Sequence, residues 1–156
     1  MNTIVDCLIP NRAVSGERNA TRRAGVMVAV GDQFDRIELA CYLAHAGFDV
    51  WTAGSGLDAL TTYATHTAEV DVLLIDAGLR DLPGAAFLAR LRAHFPDVPC
   101  VFLTDGRVDR ARDLVASGAT VLPREVVPEL LAGRLAEAAA FGLWSSPPLA
   151  REESRW

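Results

Sequence analysis

Five short apolar stretches, each followed by a stretch with helical spacing, limit what this chain can fold into more than any other feature. The apolar stretches are residues 26–30 (VMVAV), 49–53 (DVWTA), 70–76 (VDVLLID), 99–103 (PCVFL) and 120–122 (TVL). They are too short for buried helices, are rich in β-branched residues and end at turn formers, so they read as strands. Between them, residues 33–46 carry Phe34, Ile37, Cys41 and the Leu39/Leu43 pair at helical spacing, with Gly47 placed to stop the helix. Residues 56 to about 67 repeat Leu57, Leu60 and Tyr63, and residues 84–95 put Phe87, Leu88, Leu91 and Phe95 on one stripe. Residues 109–117 form a fourth helix stopped by Gly118, and residues 128–141 a fifth that opens on Pro128.

Strands that alternate with helices imply a parallel sheet covered on both faces, because a parallel crossover needs a helix. Five such units in one 156-residue chain predict an α/β fold, a flavodoxin-like doubly wound five-stranded parallel sheet, (βα)5. Ligands of such sheets bind beyond the carboxyl ends of the strands, where the strand order reverses. Polar residues at strand ends are therefore the candidates for chemistry. The expected organisation is an N-terminal tail over residues 1–24, one domain over 25–142, and a C-terminal tail over 143–156 that holds Pro147 and Pro148.

Composition excludes several classes. The net charge of −5, with the basic residues scattered, argues against a nucleic-acid surface. All basic residues are Arg, and lysine is absent. No apolar run approaches the ~20 residues needed to cross a bilayer, and the N-terminus lacks the pattern of a secretion signal. Cys7, Cys41 and Cys100 have no metal-type spacing and form no close pair, which fits a reducing cytoplasm. Ser15, Ser55 and Ser117 lack a nucleophile elbow, and no Gly-rich phosphate loop is present. His45, His66 and His94 fall near helix C-termini, where the dipole favours them. Trp51 reads as packing material, and Trp144 and Trp156 lie in or near the tail.

The strand ends resemble a known family. Asp71-Val-Leu-Leu-Ile-Asp76-Ala-Gly-Leu-Arg-Asp81-Leu-Pro-Gly84 is similar to the phosphoacceptor segment of response-regulator receiver domains: an apolar strand, the Asp, a short loop, and a Gly eight residues on that opens a helix. The segment from Val50 to Leu60 looks like that family's passage from strand 2 to helix 2. Val101-Phe-Leu-Thr104 looks like strand 4 ending in its switch hydroxyl, and Gly118-Ala119 like the pair before strand 5. The resemblance spans about residues 25–140.

The resemblance implies a stand-alone response regulator that signals in the cytoplasm. Asp76 would accept a phosphoryl group from a histidine kinase or phosphotransfer protein, Thr104 would supply the switch hydroxyl, and output would run through contact with a downstream protein. It implies no enzyme activity beyond slow autodephosphorylation. It also implies Mg²⁺, held by Asp32, Asp76 and the backbone carbonyl of Gly78. Leu130, Leu131, Leu135 and Phe141 on the last helix fit either a homodimer face or the core.

Departures from the family pattern support the alternative of a phosphorylation-independent pseudo-receiver, an interaction or dimerisation module. A gapless alignment through Gly47 puts Val30 and Gly31 where the family has two adjacent metal-binding acids. A one-residue slide instead brings in Gly31 and Asp32. Either way a carboxylate is missing, which weakens Mg²⁺ binding, and Asp35 has no claim to replace it. Asp32 equally suits a helix N-cap. The family's lysine after strand 5 has Arg124 as its nearest counterpart. The strand 5 stretch is one residue short and lacks its aromatic, Arg80 stands where a Pro is usual, and Asp105 is an acidic neighbour of the switch position.

Overall fold

The computed structural model describes residues 23–106 and 108–145. The chain runs through β1 (Gly25–Ala29), α1 (Gln33–His45), β2 (Asp49–Ala53), α2 (Gly56–Thr65), β3 (Val72–Asp76), α3 (Gly84–His94), β4 (Cys100–Thr104), α4 (Val108–Ala116), β5 (Thr120–Pro123) and α5 (Pro128–Ser145). The five strands make one sheet in the order β2-β1-β3-β4-β5, with every neighbouring pair parallel. The predicted doubly wound α/β architecture is what the chain adopts.

Burial explains the apolar strand pattern. Every residue of β1, β3 and β4 is buried, as a central parallel strand covered on both faces requires. The edge strands β2 and β5 are only partly buried and correspondingly more polar. One core lies between the sheet and α2, α3 and α4, built on Phe87, Phe102, Leu73, Ile75, Leu91 and Leu114. Phe87 and Phe102 meet edge-to-face at 6.5 Å, and Tyr63 joins α2 to Phe95 in the same way at 4.9 Å. The second core lies under α1 and α5, built on Val26, Val28, Leu74, Leu43, Leu131 and Leu135. Cys100 is buried, and burial pushes its thiol up to about 12. Among the described residues neither Cys41 nor Cys100 is in a disulfide, and Cys7 lies outside the described residues.

Several boundaries differ from the sequence expectation, each for a local reason. α5 continues to Ser145, past Gly142, because one helical glycine costs only ~0.5–1 kcal/mol. The expected C-terminal tail therefore begins inside a helix, and its remainder, like residues 1–22 of the expected N-terminal tail, lies outside the described residues. β4 starts at Cys100 rather than Pro99, whose missing N–H cannot join the ladder, although its carbonyl accepts from Leu73 N–H at 3.0 Å. On α1 the buried residues are Ala40, Leu43 and Ala44, while Phe34 is 80% exposed. On α5, Leu131 and Leu135 serve the core and Leu130 is about half exposed.

Two glycines respond oppositely to a methyl group. A Cβ on Gly25 would lie 1.9 Å from the Glu69 carbonyl oxygen, a backbone atom, and Gly25 N–H donates to Asp71 Oδ2 at 2.8 Å. A Cβ on Gly133, exposed in α5, meets nothing within 4 Å. In chemical denaturation, Gly25→Ala is expected to lose about 3 kcal/mol. Gly133→Ala should gain about 0.5–1 kcal/mol.

Candidate functional site

The chain leaves β1 toward β2 on one side and later returns to β3 on the other, so strand order reverses between β1 and β3. Above this reversal, beyond the carboxyl ends of the strands, a doubly wound sheet has its crevice. Asp76 is the last residue of β3, and its side chain keeps only 12% exposure. The β1–β3 register pairs Ala29 with Ile75, so the next row sets Val30 beside Asp76. On the other side Asp76 pairs with Leu103 of β4.

The Asp76 carboxylate is held through one oxygen. Oδ1 accepts from Gly78 N–H at 2.9 Å and from Arg124 Nη2 at 2.5 Å. No hydrogen bond among the described residues reaches Oδ2. The Gly78 contact is a local Asx-type turn that bends the chain sharply as it leaves the strand. Arg124 reaches the carboxylate because β5 runs in register with β4 to its end. Thr104 pairs with Pro123, and Arg124 N–H donates to Thr104 O at 3.0 Å. A carboxylate this buried is stable only with a partner, and Arg124, about half exposed, supplies one.

Thr104 ends β4, is buried, and lies one step past the row of Asp76. Its Oγ1 accepts a long hydrogen bond from Gly106 N–H at 3.4 Å. Gly78 is exposed on the loop beside Asp76. Asp32 sits apart from this cluster in role. It is the N-cap of α1, and its Oδ1 accepts from Asp35 N–H at 3.0 Å.

Two participants were not apparent from the sequence. Arg36, in the first turn of α1, turns back over the strand ends. Its Nη1 donates to Val30 O at 2.7 Å and more weakly to Gly31 O at 3.3 Å. A cation there opposes the helix dipole, which is the one sequence signal that marks it as unusual. The second is Asp81, whose two carboxylate oxygens accept from Gly56 N–H and Leu57 N–H, both at 2.9 Å. It thereby caps α2 from a loop 25 residues away. Leu82 packs so closely that a Cβ on Gly56 would lie 2.6 Å from the Leu82 Cβ. Asp81 and Leu82 together pin the loop after Asp76 to the start of α2.

A hard divalent cation requires oxygen ligands, normally one or two of them carboxylates, with a free shell for water. Val30 presents a buried apolar side chain beside Asp76 and Gly31 presents none. Asp32 is engaged as a cap, and the Val30 and Gly31 carbonyls already accept from Arg36. Among the described residues, no three His, Cys, Asp or Glu side chains are grouped so as to hold a metal ion. This donor set does not fit Mg²⁺. The histidines lie at helix ends as expected: His45 ends α1, with Nδ1 2.8 Å from Cys41 O, His66 is the C-cap of α2, and His94 ends α3. No helix among the described residues is long and apolar enough to cross a membrane.

Comparison with known proteins agrees with this geometry. A family model described as the response regulator receiver domain matches residues 26–131. The regulatory protein LuxO of Vibrio vulnificus is 33% identical over 78 residues, which are 49% of this chain and 17% of that protein. The probable transcriptional regulatory protein TcrX of Mycobacterium tuberculosis is 35% identical over 78 residues, 49% of this chain and 32% of that protein. The chain thus matches well under half the length of these curated relatives. Among solved structures, a response regulator receiver domain protein from Clostridium thermocellum superposes with a TM-score of 0.72 at 23% identity, over 75% of this chain and 94% of that one. The chemotaxis response regulator CheY4 of Vibrio cholerae gives a TM-score of 0.66 at 25% identity, over 74% and 98%.

The Asp81 bonds make a pH prediction. The two backbone N–H groups hold the Asp81 carboxyl below its ordinary 3.8. A group depressed in the folded state adds stability above its unfolded pKa and loses it as pH falls through the folded value. The thermal midpoint of the protein should therefore fall from about pH 5 toward pH 2, and Asp81→Asn should fall less steeply over that window. A parallel pair of curves would show that Asp81 does not hold the loop.

Proposed function

The chain belongs to the response-regulator receiver family, and from that premise we propose that Asp76 is its phosphoacceptor and that a partner's phosphohistidine is the donor. Receiver domains are signalling modules of two-component systems and not enzymes in the usual sense. One observation carries the assignment to Asp76: at the reversal of strand order its Oδ1 is fixed by Gly78 and Arg124, while Oδ2 carries no hydrogen bond among the described residues. A carboxylate oriented through one oxygen and free at the other is a positioned nucleophile.

In the proposed step, an Oδ2 lone pair attacks phosphorus, the P–N bond to the imidazole breaks, and its electron pair returns to the ring nitrogen. The product is an aspartyl phosphate on this chain and a neutral histidine on the donor once that nitrogen is protonated. Phosphoryl transfer asks the protein chiefly for alignment and charge compensation. Arg124, already on Oδ1, compensates the phosphoryl oxygens, and the Thr104 hydroxyl donates to one of them. Drawing Thr104 toward that oxygen moves the end of β4 and the loop into α4, which turns a local charge into a changed surface. Val127 and Leu130 at the start of α5 are exposed apolar residues, and they suit output by protein contact.

A second reading, an interaction module that does not depend on phosphorylation, is favoured by the poor fit of the site to Mg²⁺, which receivers in general use for phosphorylation. One experiment separates the two. Incubation with acetyl phosphate and Mg²⁺, followed by intact mass measurement, is expected to add one phosphoryl group to the native chain and none to Asp76→Asn. Arg124→Ala should slow the gain by about 10²-fold, as loss of one transition-state donor does. Absence of any Asp76-dependent gain, with partner binding retained by Asp76→Ala, would establish the second reading.

A further inference from the structure

We propose that Asp81 is a positioning residue for Asp76: it ties the β3–α3 loop to the start of α2, and so keeps the Gly78 N–H on Asp76 Oδ1 and leaves Oδ2 for the phosphoryl group. The inference rests on the reading of Asp76 as the phosphoacceptor.

The loop between β3 and α3 closes on itself. Ala77 N–H donates to Leu103 O at 2.8 Å, which fixes the first loop residue to β4. Gly84 N–H donates to Ala77 O at 3.1 Å, which brings the end of the loop back to its start. A Cβ on Gly84 would lie 3.3 Å from Ala77 Cα and Cβ. Residues 78–83 therefore arch out from one joint at Ala77. A loop whose ends lie together keeps its shape through the packing of its own side chains.

Three side chains hold this arch. Leu79 is buried, and its Cδ2 is the atom that a Cβ on Gly31, just past β1, would meet at 3.6 Å. Leu82 is buried against Gly56, where a Cβ would lie 2.6 Å from its own. Apolar contacts of this kind have no direction. Direction comes from Asp81, whose Oδ1 accepts from Gly56 N–H and Oδ2 from Leu57 N–H, both at 2.9 Å. Among the described residues these are the only hydrogen bonds that join residues 80–82 to another element. The first amides of a helix have no partner within it, and an ionised acceptor binds them strongly. Gly78 stands between the joint at Ala77 and the anchor at Asp81. It is exposed and has no side chain, so its N–H, 2.9 Å from Asp76 Oδ1, is aimed by the backbone on either side. Release of Asp81 leaves the joint in place but removes the anchor. Asp76 Oδ1 then keeps Arg124 alone, and the carboxylate is free to turn. Alignment is a large part of what phosphoryl transfer asks of a protein, and misplacing a reacting group by about 1 Å costs up to ~10²-fold in rate.

The full chain, labelled with ¹⁵N, is compared near neutral pH with Asp81→Ala, Asp81→Asn and Ser55→Ala. The last removes the Ser55 cap of Asp58 N–H at the same helix start without touching the loop. The first readout is the Gly78 amide proton shift, placed on a scale from the native chain to Asp76→Ala, in which the bond to Oδ1 cannot form. Such a shift reads the folded state and is not moved by a loss of stability alone. The second readout is the rate of mass gain with acetyl phosphate and Mg²⁺. In Asp81→Ala the Gly78 shift is expected to move most of the way to the Asp76→Ala position, and the mass gain to slow by about 10-fold. Asp81→Asn, which keeps one acceptor oxygen, should recover part of both, and it carries the test if Asp81→Ala does not fold. Ser55→Ala should match the native chain in both.

A native Gly78 shift in Asp81→Ala overturns the proposal. So does a Ser55→Ala variant that behaves like Asp81→Ala, since the start of α2 and not the tie to the loop would then be at work. A native chain that gains no mass overturns the reading of Asp76 and this role with it, whereas a native chain that gains mass no faster than Asp81→Ala overturns the role alone.

Discussion

The pair formed by Asp76 and Arg124 ties together the ends of β3 and β5 across β4. A carboxylate that is nearly nine-tenths buried is destabilising by itself, because removal from water costs more than packing returns. The cost is offset because β5 keeps register with β4 through Pro123, which delivers the next residue to the rim. The interaction thus depends on strand register, and the site in turn depends on the interaction. Losing one partner leaves the other charge uncompensated, so the two residues act as a unit.

The loop that leaves Asp76 is fixed by a different means. Asp81 spends both carboxylate oxygens on the first amides of α2, while Leu79 and Leu82 are buried beneath it. Those amides are orphan donors of a helix start, normally satisfied by the residue just before the helix. Here Ser55 caps Asp58 N–H and Asp81 takes the two amides ahead of it. The β3–α3 loop and the start of α2 are thereby held together.

Much of this was legible in the sequence because its physics is local. The run from Val70 to Asp76 reads as a buried strand, and β3 forms over its last five residues, Val72–Asp76, with the Asp at its end. Gly47 and Gly118, both with positive φ, ended their helices where expected. Large side chains misled the reading of α1. Phe34 falls on the helical repeat yet is exposed, while the buried face of α1 consists of Ala40, Leu43 and Ala44. Periodicity weighs large residues and undervalues alanine, the residue that close approach requires. Arg124 was found by its position after strand 5, whereas the contact itself depends on a register that spacing alone does not give. Arg36 and Asp81 were not found, since their partners are backbone atoms of other segments, to which no residue pattern points.

The substitutions at the rim follow a single charge argument. Where two acids would bring in a cation, this chain has Val30 and Gly31. Beside Asp76 it has the guanidinium of Arg124 rather than an ammonium. Losing the acids removes negative charge from the rim and with it the means of holding a divalent ion, so the remaining carboxylate needs its compensation from the protein. A planar guanidinium on a long stem reaches the carboxylate from the residue after β5 and donates along a defined direction, which a compact ammonium does less well. A second guanidinium, that of Arg36, donates to the Val30 and Gly31 carbonyls just past the end of β1. Arg124 thus compensates the Asp76 carboxylate with a charge fixed in the protein itself.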